Sequence, residues 1–251
     1  MAIITERADD CVKAVGQLCS GNDLTANLST CKSLVKQAVE AGAKALFLPE
    51  ASDYIALSPT ETISLVRSIQ ESEFVIGLQE QCRSFRLPIN VGIHEPANNG
   101  ERVTNTSIWI NEEGVITQRY EKIHLFDVDL RNGPTLKESA LSLRRQGAQI
   151  ITYPSAFTIP TGKAHWEVLL RARAIEAQSY IVAAAQVGQH NPKRISYGYS
   201  MIINPWGKVV AQIEGDDPSP AIAVADVDLE LLHKVRNEMP LLRRTDIYPE
   251  V

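Results

Sequence analysis

Short runs of apolar, often β-branched residues alternate with longer amphipathic stretches along the whole chain. In residues 25–41 the apolar side chains recur every three or four positions, which predicts a helix, and Gly42 supplies the residue after which that helix ends. Residues 45–48 are wholly apolar and few, which is typical of a buried strand. Strands and helices that alternate in this way predict an α/β fold.

The same reasoning divides the rest of the chain into two similar halves. The first half is predicted to contain strands at 15–18, 45–48, 89–93, 106–110 and 115–120 and helices at 25–41 and 60–84. The second half is predicted to contain strands at 149–153, 180–185, 200–204, 208–213 and 221–227 and helices at 140–146, 166–178 and 229–239. No linker rich in proline, glycine or serine separates the halves, so residues 1–251 are predicted to form one domain.

Two alignments within the chain support an internal repeat. Residues 107–114 match residues 200–207, and residues 42–51 match residues 147–156. Two pseudo-equivalent halves predict two sheets packed face to face with helices outside them, a four-layer αββα sandwich.

The repeat also predicts a gap in the second half. In the first half a strand and a helix of about four to five turns precede Gly42. In the second half only a helix stub at 140–146 precedes Gly147, and the counterpart of the strand at 15–18 is absent. A central strand and the first part of its helix are therefore predicted to be missing near residues 139–140.

Composition and charge narrow the range of functions. The chain has 25 basic and 30 acidic residues and a formal net charge of −5, which argues against nucleic acid as its main partner. No apolar run approaches the ~18 residues that predict a membrane span, and the acidic start of the chain is unlike a targeting peptide. The cysteines match no zinc template and are expected to be free thiols, which favours a cytoplasmic protein and leaves mitochondria open. They are Cys11, Cys19, Cys31 and Cys82.

Three residues could carry chemistry. Glu50 lies just past the end of the buried strand at 45–48, at the edge of an α/β sheet where ligand sites gather, so its carboxylate could act as a general base. The alternative is a loop glutamate that pairs with an arginine or lysine. Lys122 follows the first hairpin, where an ammonium could stabilise an oxyanion, although most lysines are simply solvated. Glu138 is the weakest of the three candidates when its position is considered alone.

Trp166 and Glu167 are predicted to lie near the start of the helix at 166–178, where they could face a substrate. The alternative is a helix with an apolar seam whose side chains only pack. The histidines have no metal-ligand spacing, and the chain has no Walker A loop and no glycine-rich dinucleotide turn. No metal site is therefore predicted.

Several segments together resemble the nitrilase superfamily, the carbon–nitrogen hydrolases, and within it the branch of omega-amidases and deaminated glutathione amidases. These segments are VGQLCS at 15–20, LFLPEASDY at 46–54, YEKIHLFDVD at 120–129, the run from RRQGAQ to VGQH at 144–190 and YGYSMIINPWGKVV at 197–210. They follow one another in order over nearly the whole chain. The resemblance implies the αββα sandwich, a homodimer or higher homo-oligomer, and no metal or organic cofactor.

The resemblance also implies a mechanism. By motif match, Glu50 is the general base, Lys122 is the cation that faces the tetrahedral intermediate, and Glu138 is a second glutamate that supports Lys122. A cysteine thiolate attacks the carbonyl of a small linear amide, ammonia leaves, and water hydrolyses the thioester. The implied substrate is deaminated glutathione or the ω-amide of an α-keto acid.

The chain departs from the family pattern at the nucleophile. The family's cysteine follows the strand that the repeat predicts to be missing, and no cysteine occurs after Cys82. Cys19 ends the first strand and is expected to be a packing thiol rather than a substitute nucleophile. Three hypotheses remain: an active amidase, a catalytically inactive family member that serves as an oligomer or binding partner, and an incomplete version of a normal enzyme. The intact motifs on both sides of the gap favour the third.

Overall fold

The computed structural model describes residues 3–4, 11–97, 102–122 and 136–241, with only the backbone described at 3–4, 11 and 136–139. In chain order the elements are β1 (Ile3–Ile4), β2 (Cys11–Leu18), α1 (Leu24–Glu40), β3 (Leu46–Phe47), α2 (Pro59–Leu65), α3 (Glu73–Phe85), β4 (Ile89–Pro96), β5 (Val103–Ile110), β6 (Ile116–Glu121), α4 (Leu136–Arg145), β7 (Ile150–Thr152), α5 (Ile159–Ala177), β8 (Tyr180–Ala183), β9 (Ala185–Asn191), β10 (Arg194–Tyr197), β11 (Met201–Ile203), β12 (Val209–Gln212), β13 (Ala221–Val227) and α6 (Leu229–Glu238). None of the helices within these ranges has the length and apolar character that crossing a membrane requires.

Two sheets form the centre of the molecule. The larger sheet has the strand order β10-β9-β2-β3-β4-β5-β6, and β13 pairs with β2. The smaller sheet has the order β1-β7-β8-β11-β12. In both sheets the parallel strands lie side by side, and antiparallel hairpin strands continue the sheet from them.

Three clusters of buried side chains define the layers. The cluster between the sheets includes Phe47 from β3 and Ile150 from β7. A second cluster, which includes Leu46, joins the larger sheet to α1 and α3. A third, which includes Ile151, joins the smaller sheet to α4 and α5. Successive residues of a strand point to opposite faces, and each sheet is therefore buried on both sides. The predicted αββα arrangement of two sheets flanked by helices is confirmed.

Two predicted helices have different bounds in the structure. The helix predicted at 60–84 is divided into α2 and α3. Val66 leaves the helical region with ψ 139°, and the Ser72 side chain caps a new helix by accepting from the N–H of Val75. The helix predicted at 166–178 begins earlier, at Ile159. The proline in its first turn does not prevent this, because the N–H that proline lacks would have no partner in the first turn of a helix. Trp166 therefore lies inside the helix and not near its start.

The repeat is visible in the topology. The order β3-β4-β5-β6 in the larger sheet corresponds to β7-β8-β11-β12 in the smaller one, with one parallel pair followed by two antiparallel pairs in each. The outer neighbour of β3 is the 8-residue parallel strand β2. The outer neighbour of β7 is the 2-residue antiparallel strand β1. The helix before β7, α4, has 10 residues where α1 has 17.

Candidate active site

Glu50 lies where the backbone turns away from the end of β3. The N–H of Leu48 still pairs with a carbonyl of β4 at 2.8 Å, but the chain bends after Pro49. Ala51 then adopts a left-handed conformation with φ 52°, which is strained for a residue other than glycine. The carbonyl of Pro49 accepts from the N–H of Gly92 at 3.0 Å, so the bend is held against β4.

The carboxylate of Glu50 forms an ion pair with the ammonium of Lys122. Lys122 directly follows β6, and its backbone N–H donates to the carbonyl of Asn105 at 2.8 Å, which fixes the end of the hairpin. The side chain of Glu50 is 11% exposed and that of Lys122 is 34% exposed, so the ammonium lies on the solvent side of the pair. A buried carboxylate beside a partly exposed cation can accept a proton from a nucleophile while the cation stabilises an oxyanion.

Gln186, near the start of β9, connects this bend to the chain that follows β2. Its side-chain nitrogen donates to the carbonyls of Glu50 at 3.0 Å and of Ala51 at 3.2 Å. The same nitrogen donates to the hydroxyl of Ser20 at 2.8 Å, and the side-chain oxygen accepts from the N–H of Ser20 at 2.9 Å. Gln186 and Ser20 are fully buried, so these hydrogen bonds are shielded from water.

A second ion pair holds the far end of the same loop. The carboxylate of Asp53 accepts from the backbone N–H of His94 at 2.8 Å and faces its ring Nδ1 at 2.9 Å. The ring of His94 also stacks on Tyr54, with 4.4 Å between the centroids. Burial lowers the pKa of His94, but Asp53 and, less strongly, Glu50 outweigh burial and raise the pKa overall, against the opposing charge of Arg194. The environment therefore favours the protonated imidazole.

The thiol of Cys19 is not activated by its histidine neighbour. Its sulfur lies 3.5 Å from Nδ1 of His190, but that nitrogen also lies 2.9 Å from the carbonyl of Ser20, which binds only a protonated nitrogen. The other ring nitrogen lies 2.8 Å from the hydroxyl of Ser196, and burial lowers the pKa of His190 to about 4, so the ring is neutral. Nδ1 therefore cannot take the proton of the thiol, and burial raises the pKa of Cys19.

The other cysteines whose side chains are described are even less suited to be nucleophiles. Cys31 and Cys82 are fully buried in the cluster between the larger sheet and its helices. Burial raises the pKa of both thiols, that of Cys82 to about 12. No thiolate is therefore prepared at neutral pH among these side chains.

Trp166 has the contacts of a packing residue. It is 3% exposed, its indole N–H donates to the carbonyl of Tyr199 at 2.7 Å, and its ring lies 4.9 Å from that of Phe157 between centroids. These contacts fit the alternative of an apolar seam. The substrate-binding role of Trp166 stays a prediction.

The remaining predicted residues are not brought to the ion pair by any described contact. Glu167 pairs with Arg171 one turn along α5 at 3.3 Å, and both side chains are 51% exposed. The backbone of Glu138 belongs to α4, but its side chain lies outside the described residues. The roles of Glu167 in substrate binding and of Glu138 in support of Lys122 therefore also stay predictions.

Sequence reasoning missed three polar residues around the bend, of which Gln186 and Asp53 are buried and His94 is partly buried. Gln186 stands in the apolar run 181–187, where a polar side chain needs partners, and this is the signal that could have found it. Asp53 and His94 are far apart in the chain, and no local pattern connects them. Their pairing becomes visible only when β4 lies beside the loop.

Comparison with known proteins identifies the family. The model of the carbon–nitrogen hydrolase family matches the chain in two stretches, residues 14–142 and 135–237. The two stretches overlap at residues 135–142, around the start of α4. A family match therefore covers most of the chain, but it is interrupted where the repeat predicts a gap.

Similar proteins come from fungi and animals. The probable hydrolase nit2 of Schizosaccharomyces pombe is 43% identical over 272 residues, which cover 95% of this chain and 99% of that protein. The human deaminated glutathione amidase is 37% identical over 287 residues, which cover 99% of this chain and 86% of that protein. The crystal structure of the Caenorhabditis elegans NitFhit protein superposes with a TM-score of 0.88 at 35% identity, over 95% of this chain and 66% of that one.

Proposed function

Because the chain belongs to the carbon–nitrogen hydrolase family, we propose that it is an incomplete version of an amidase whose complete form releases ammonia from a small linear amide. The observation that carries this proposal is the ion pair between the buried carboxylate of Glu50 and Lys122 at the end of β3. In the proposed reaction Glu50 accepts the proton of the nucleophile, and Lys122 stabilises the oxyanion of the tetrahedral intermediate. Glu138 is proposed to support Lys122.

The proposed substrate carries a carboxylate of its own, as deaminated glutathione and the ω-amides of α-keto acids do. Three positive groups, Lys122, His94 and Arg194, lie around two carboxylates, those of Glu50 and Asp53. Opposite charges attract strongly in a partly buried site, so the excess of positive charge favours an anionic substrate. The similarity to deaminated glutathione amidases points in the same direction.

We propose further that this chain lacks the segment that bears the nucleophile. The chain has no cysteine after Cys82, and the interrupted family match supports a gap near residues 139–140. The alignment with the S. pombe hydrolase spans 272 positions, and it includes 95% of the 251 residues of this chain, which is about 238. About 34 aligned positions therefore have no counterpart in this chain. A strand, a turn and the start of a helix need about this many residues.

Ammonia release tests both parts of the proposal. The chain is assayed with deaminated glutathione and short ω-amides, beside a second form in which the relatives' segment is inserted between Ser139 and Ala140. We expect no release by the chain itself above a Glu50→Gln control, and Glu50-dependent release by the restored form. A folded restored form that hydrolyses none of these amides would disprove the amidase, whereas Glu50-dependent release by the chain itself would disprove the loss of the nucleophile.

The alternative function is that of a catalytically inactive family member. One observation favours it: the two-residue strand β1 pairs with the open edge of β7, so this edge is not left bare. A single cooperative thermal transition of the chain, together with an uninterrupted transcript across residues 139–140, would support this alternative over an incomplete version of the enzyme.

We propose a homodimer or higher homo-oligomer in the cytoplasm. Helix α5 and the turn before β12 expose apolar side chains that a second copy could cover, namely Val168 at 71%, Ile175 at 42% and Trp206 at 59% exposed. A Trp206→Asp variant is expected to shift the mass measured by light scattering towards the monomer. A monomeric mass for the parent chain would contradict the oligomer.

A further inference from the structure

Gln186 joins the two halves of the molecule at the candidate active site. Its backbone N–H donates to the carbonyl of Ser155 at 2.9 Å, and Ser155 occupies in the second half the position that Glu50 occupies in the first. Its side chain reaches into the first half and binds the carbonyls of Glu50 and Ala51. One residue therefore contacts both equivalent positions.

The hydrogen bonds of this amide are fully used. A glutamine side chain has two N–H donors and one carbonyl acceptor. Here three acceptors surround the nitrogen, and the N–H of Ser20 occupies the oxygen. Because Gln186 is 0% exposed, water cannot replace any of these partners.

The contacts act on the part of the loop that is least favourable by itself. Ala51 is left-handed with φ 52°, and a strained residue persists only where its surroundings hold it. The two carbonyls that flank this bend, those of Glu50 and Ala51, are the ones that Gln186 binds. If the bend relaxed, the Glu50 carboxylate would leave Lys122.

We propose that Gln186 is a positioning residue whose side-chain amide holds the Glu50–Ala51 bend and thereby keeps the Glu50 carboxylate against Lys122. The proposal rests on the proposed function in that Glu50 is taken as the general base. Gln186 does not touch the ion pair itself and acts through the backbone of the residue that does.

The test measures the ion pair and not turnover. Lys122 is labelled with an amine-reactive reagent under native conditions, and its labelling rate is compared by mass spectrometry with those of the exposed Lys36 and Lys44. The Glu50→Gln variant sets the rate of an unpaired Lys122. The test variant is Gln186→Met, which keeps the length of the side chain and removes every hydrogen bond of the side-chain amide.

The matched control is another buried glutamine. Gln178 is 2% exposed and donates to the carbonyls of Val235 and Met239, in a different part of the fold. A Gln178→Met variant loses hydrogen bonds of the same kind without contact to the loop. A general loss of stability therefore affects both variants, whereas a loss of positioning affects only one.

We expect Gln186→Met to raise the labelling rate of Lys122 about tenfold towards the Glu50→Gln value, as the loss of buried hydrogen bonds would cause, and Gln178→Met to leave it within about twofold of the parent. If Gln186→Met does not fold, Gln186→Asn replaces it with Gln178→Asn as its control, since the amide is kept but withdrawn by one methylene. A smaller rise, confined to the Gln186 variant, is then expected.

The proposal would be overturned if Lys122 were labelled at the parent rate in a folded Gln186 variant. It would also be overturned if the Gln178 control raised the labelling rate of Lys122 as much as the Gln186 variant does. Neither result depends on hydrolysis. An amidase that fails the assay above would leave this measurement intact, and an unchanged ion pair here would leave the amidase proposal intact.

Discussion

The two halves of the molecule share one topology but differ in the strand beside their central pair. In the larger sheet β3 lies between two parallel strands, β2 and β4. In the smaller sheet β7 has the parallel neighbour β8 on one side, but on the other side only the two antiparallel residues of β1. The inner strands of the smaller sheet therefore still pair although one neighbour of β7 is only two residues long. The difference predicts that the molecule is least stable around β7.

The first prediction, with the largest expected effect on the free energy of unfolding, compares core truncations at equivalent positions of the two halves. Leu46 in β3 and Ile151 in β7 both face the helices and are 0% exposed. A truncation costs more where the surroundings cannot collapse into the cavity, so we expect Leu46→Ala to lower the free energy of unfolding by about 4 kcal/mol and Ile151→Ala by about 2 kcal/mol. Denaturant titration measures both, and equal losses would mean that β1 supports β7 as firmly as β2 supports β3.

The halves also differ at the ends of these strands. After Pro49 the chain bends and presents Glu50, whereas after Pro154 it continues along the sheet. The N–H of Ser155 donates to the carbonyl of Ala184 at 2.9 Å, and its own carbonyl accepts from β9. In the first half the chain therefore bends at this point and forms the candidate active site. In the second half the equivalent residues only extend the pairing of the strands.

The second prediction concerns the residue that gives the bend its room. Leu48 and Tyr153 pair with Asn90 and Val182, so Gly92 and Ala184, two residues further on, are equivalent. A Cβ on Gly92 would lie 2.4 Å from the Cα of Glu50, a clash with backbone that no rotamer relieves.

We therefore expect Gly92→Ala to lower the free energy of unfolding by about 3 kcal/mol, the upper range of overpacking. The reverse exchange, Ala184→Gly, serves as the control and is expected to cost about 1–2 kcal/mol, through chain entropy and the loss of one buried methyl group. Both are measured by denaturant titration. A Gly92→Ala loss no larger than that of the control would show that the loop can shift away from β4 without cost.

Much of the fold could be predicted from the sequence, because the signals are local. The strand at 45–48 and the helix that ends before Gly42 follow from neighbouring residues, and Gly42 has the φ of 72° that such a position favours. Glu50 and Lys122 were named as candidates because each lies just past a predicted strand, but their roles came only from the resemblance to a family and stay predictions. The ion pair between them was not predicted, because the two residues are far apart in the chain.

The rest could not be predicted, because it depends on residues that meet only after folding. Gln186 binds Glu50 across 136 positions of the chain, and His94 binds Asp53 across 41. The pairing of β1 with β7 depends on which edge is open, which no property of Ile3 and Ile4 reveals. The predicted start of α5 was wrong, because the helix already begins at Ile159 and its first turn accepts the proline there.

The equivalence of the two halves extends to the residues that hold the loop. His94 in β4 and Gln186 in β9 lie two positions beyond Gly92 and Ala184, and both bind the loop that carries Glu50. One uses an ionisable ring and the other a neutral amide. Only the first should make the stability of the loop depend on pH.

The third prediction tests this contrast through pH. The pKa of His94 is raised in the folded protein, so its contribution to stability is fully present below the unfolded value of about 6.5 and is lost as the pH rises through the folded pKa. A His94→Gln variant is expected to lose about 1.5–3 kcal/mol at pH 6, the range of a hydrogen bond to a charged group, and less at pH 9.

The measurement is the free energy of unfolding between pH 6 and pH 9. The control is Gln178→Met, which removes a neutral hydrogen-bonding group and is expected to cost the same at every pH in this range. A loss for His94→Gln that stays constant or grows with pH would contradict a protonated His94 in the folded state.

The smallest expected effect compares two tyrosine hydroxyls, one in each half. The hydroxyl of Tyr54 donates to the carbonyl of Thr62 at 2.9 Å, whereas that of Tyr153 is buried and has no hydrogen-bond partner within the described part of the chain. Tyr153 is the counterpart of the apolar Leu48, at the end of the strand whose neighbour is reduced. A missing segment beside β7 would be the natural source of a partner for this hydroxyl.

We therefore expect Tyr153→Phe to leave the free energy of unfolding unchanged or to raise it by up to about 1 kcal/mol, because it removes an unpaired buried group, and Tyr54→Phe to lower it by about 1 kcal/mol. Thermal unfolding of the two variants side by side measures the difference. In a form with the relatives' segment restored, Tyr153→Phe is expected to become destabilising. A loss for Tyr153→Phe already in the present chain would mean that its hydroxyl has a partner here, and the second half would then be more complete than its topology indicates.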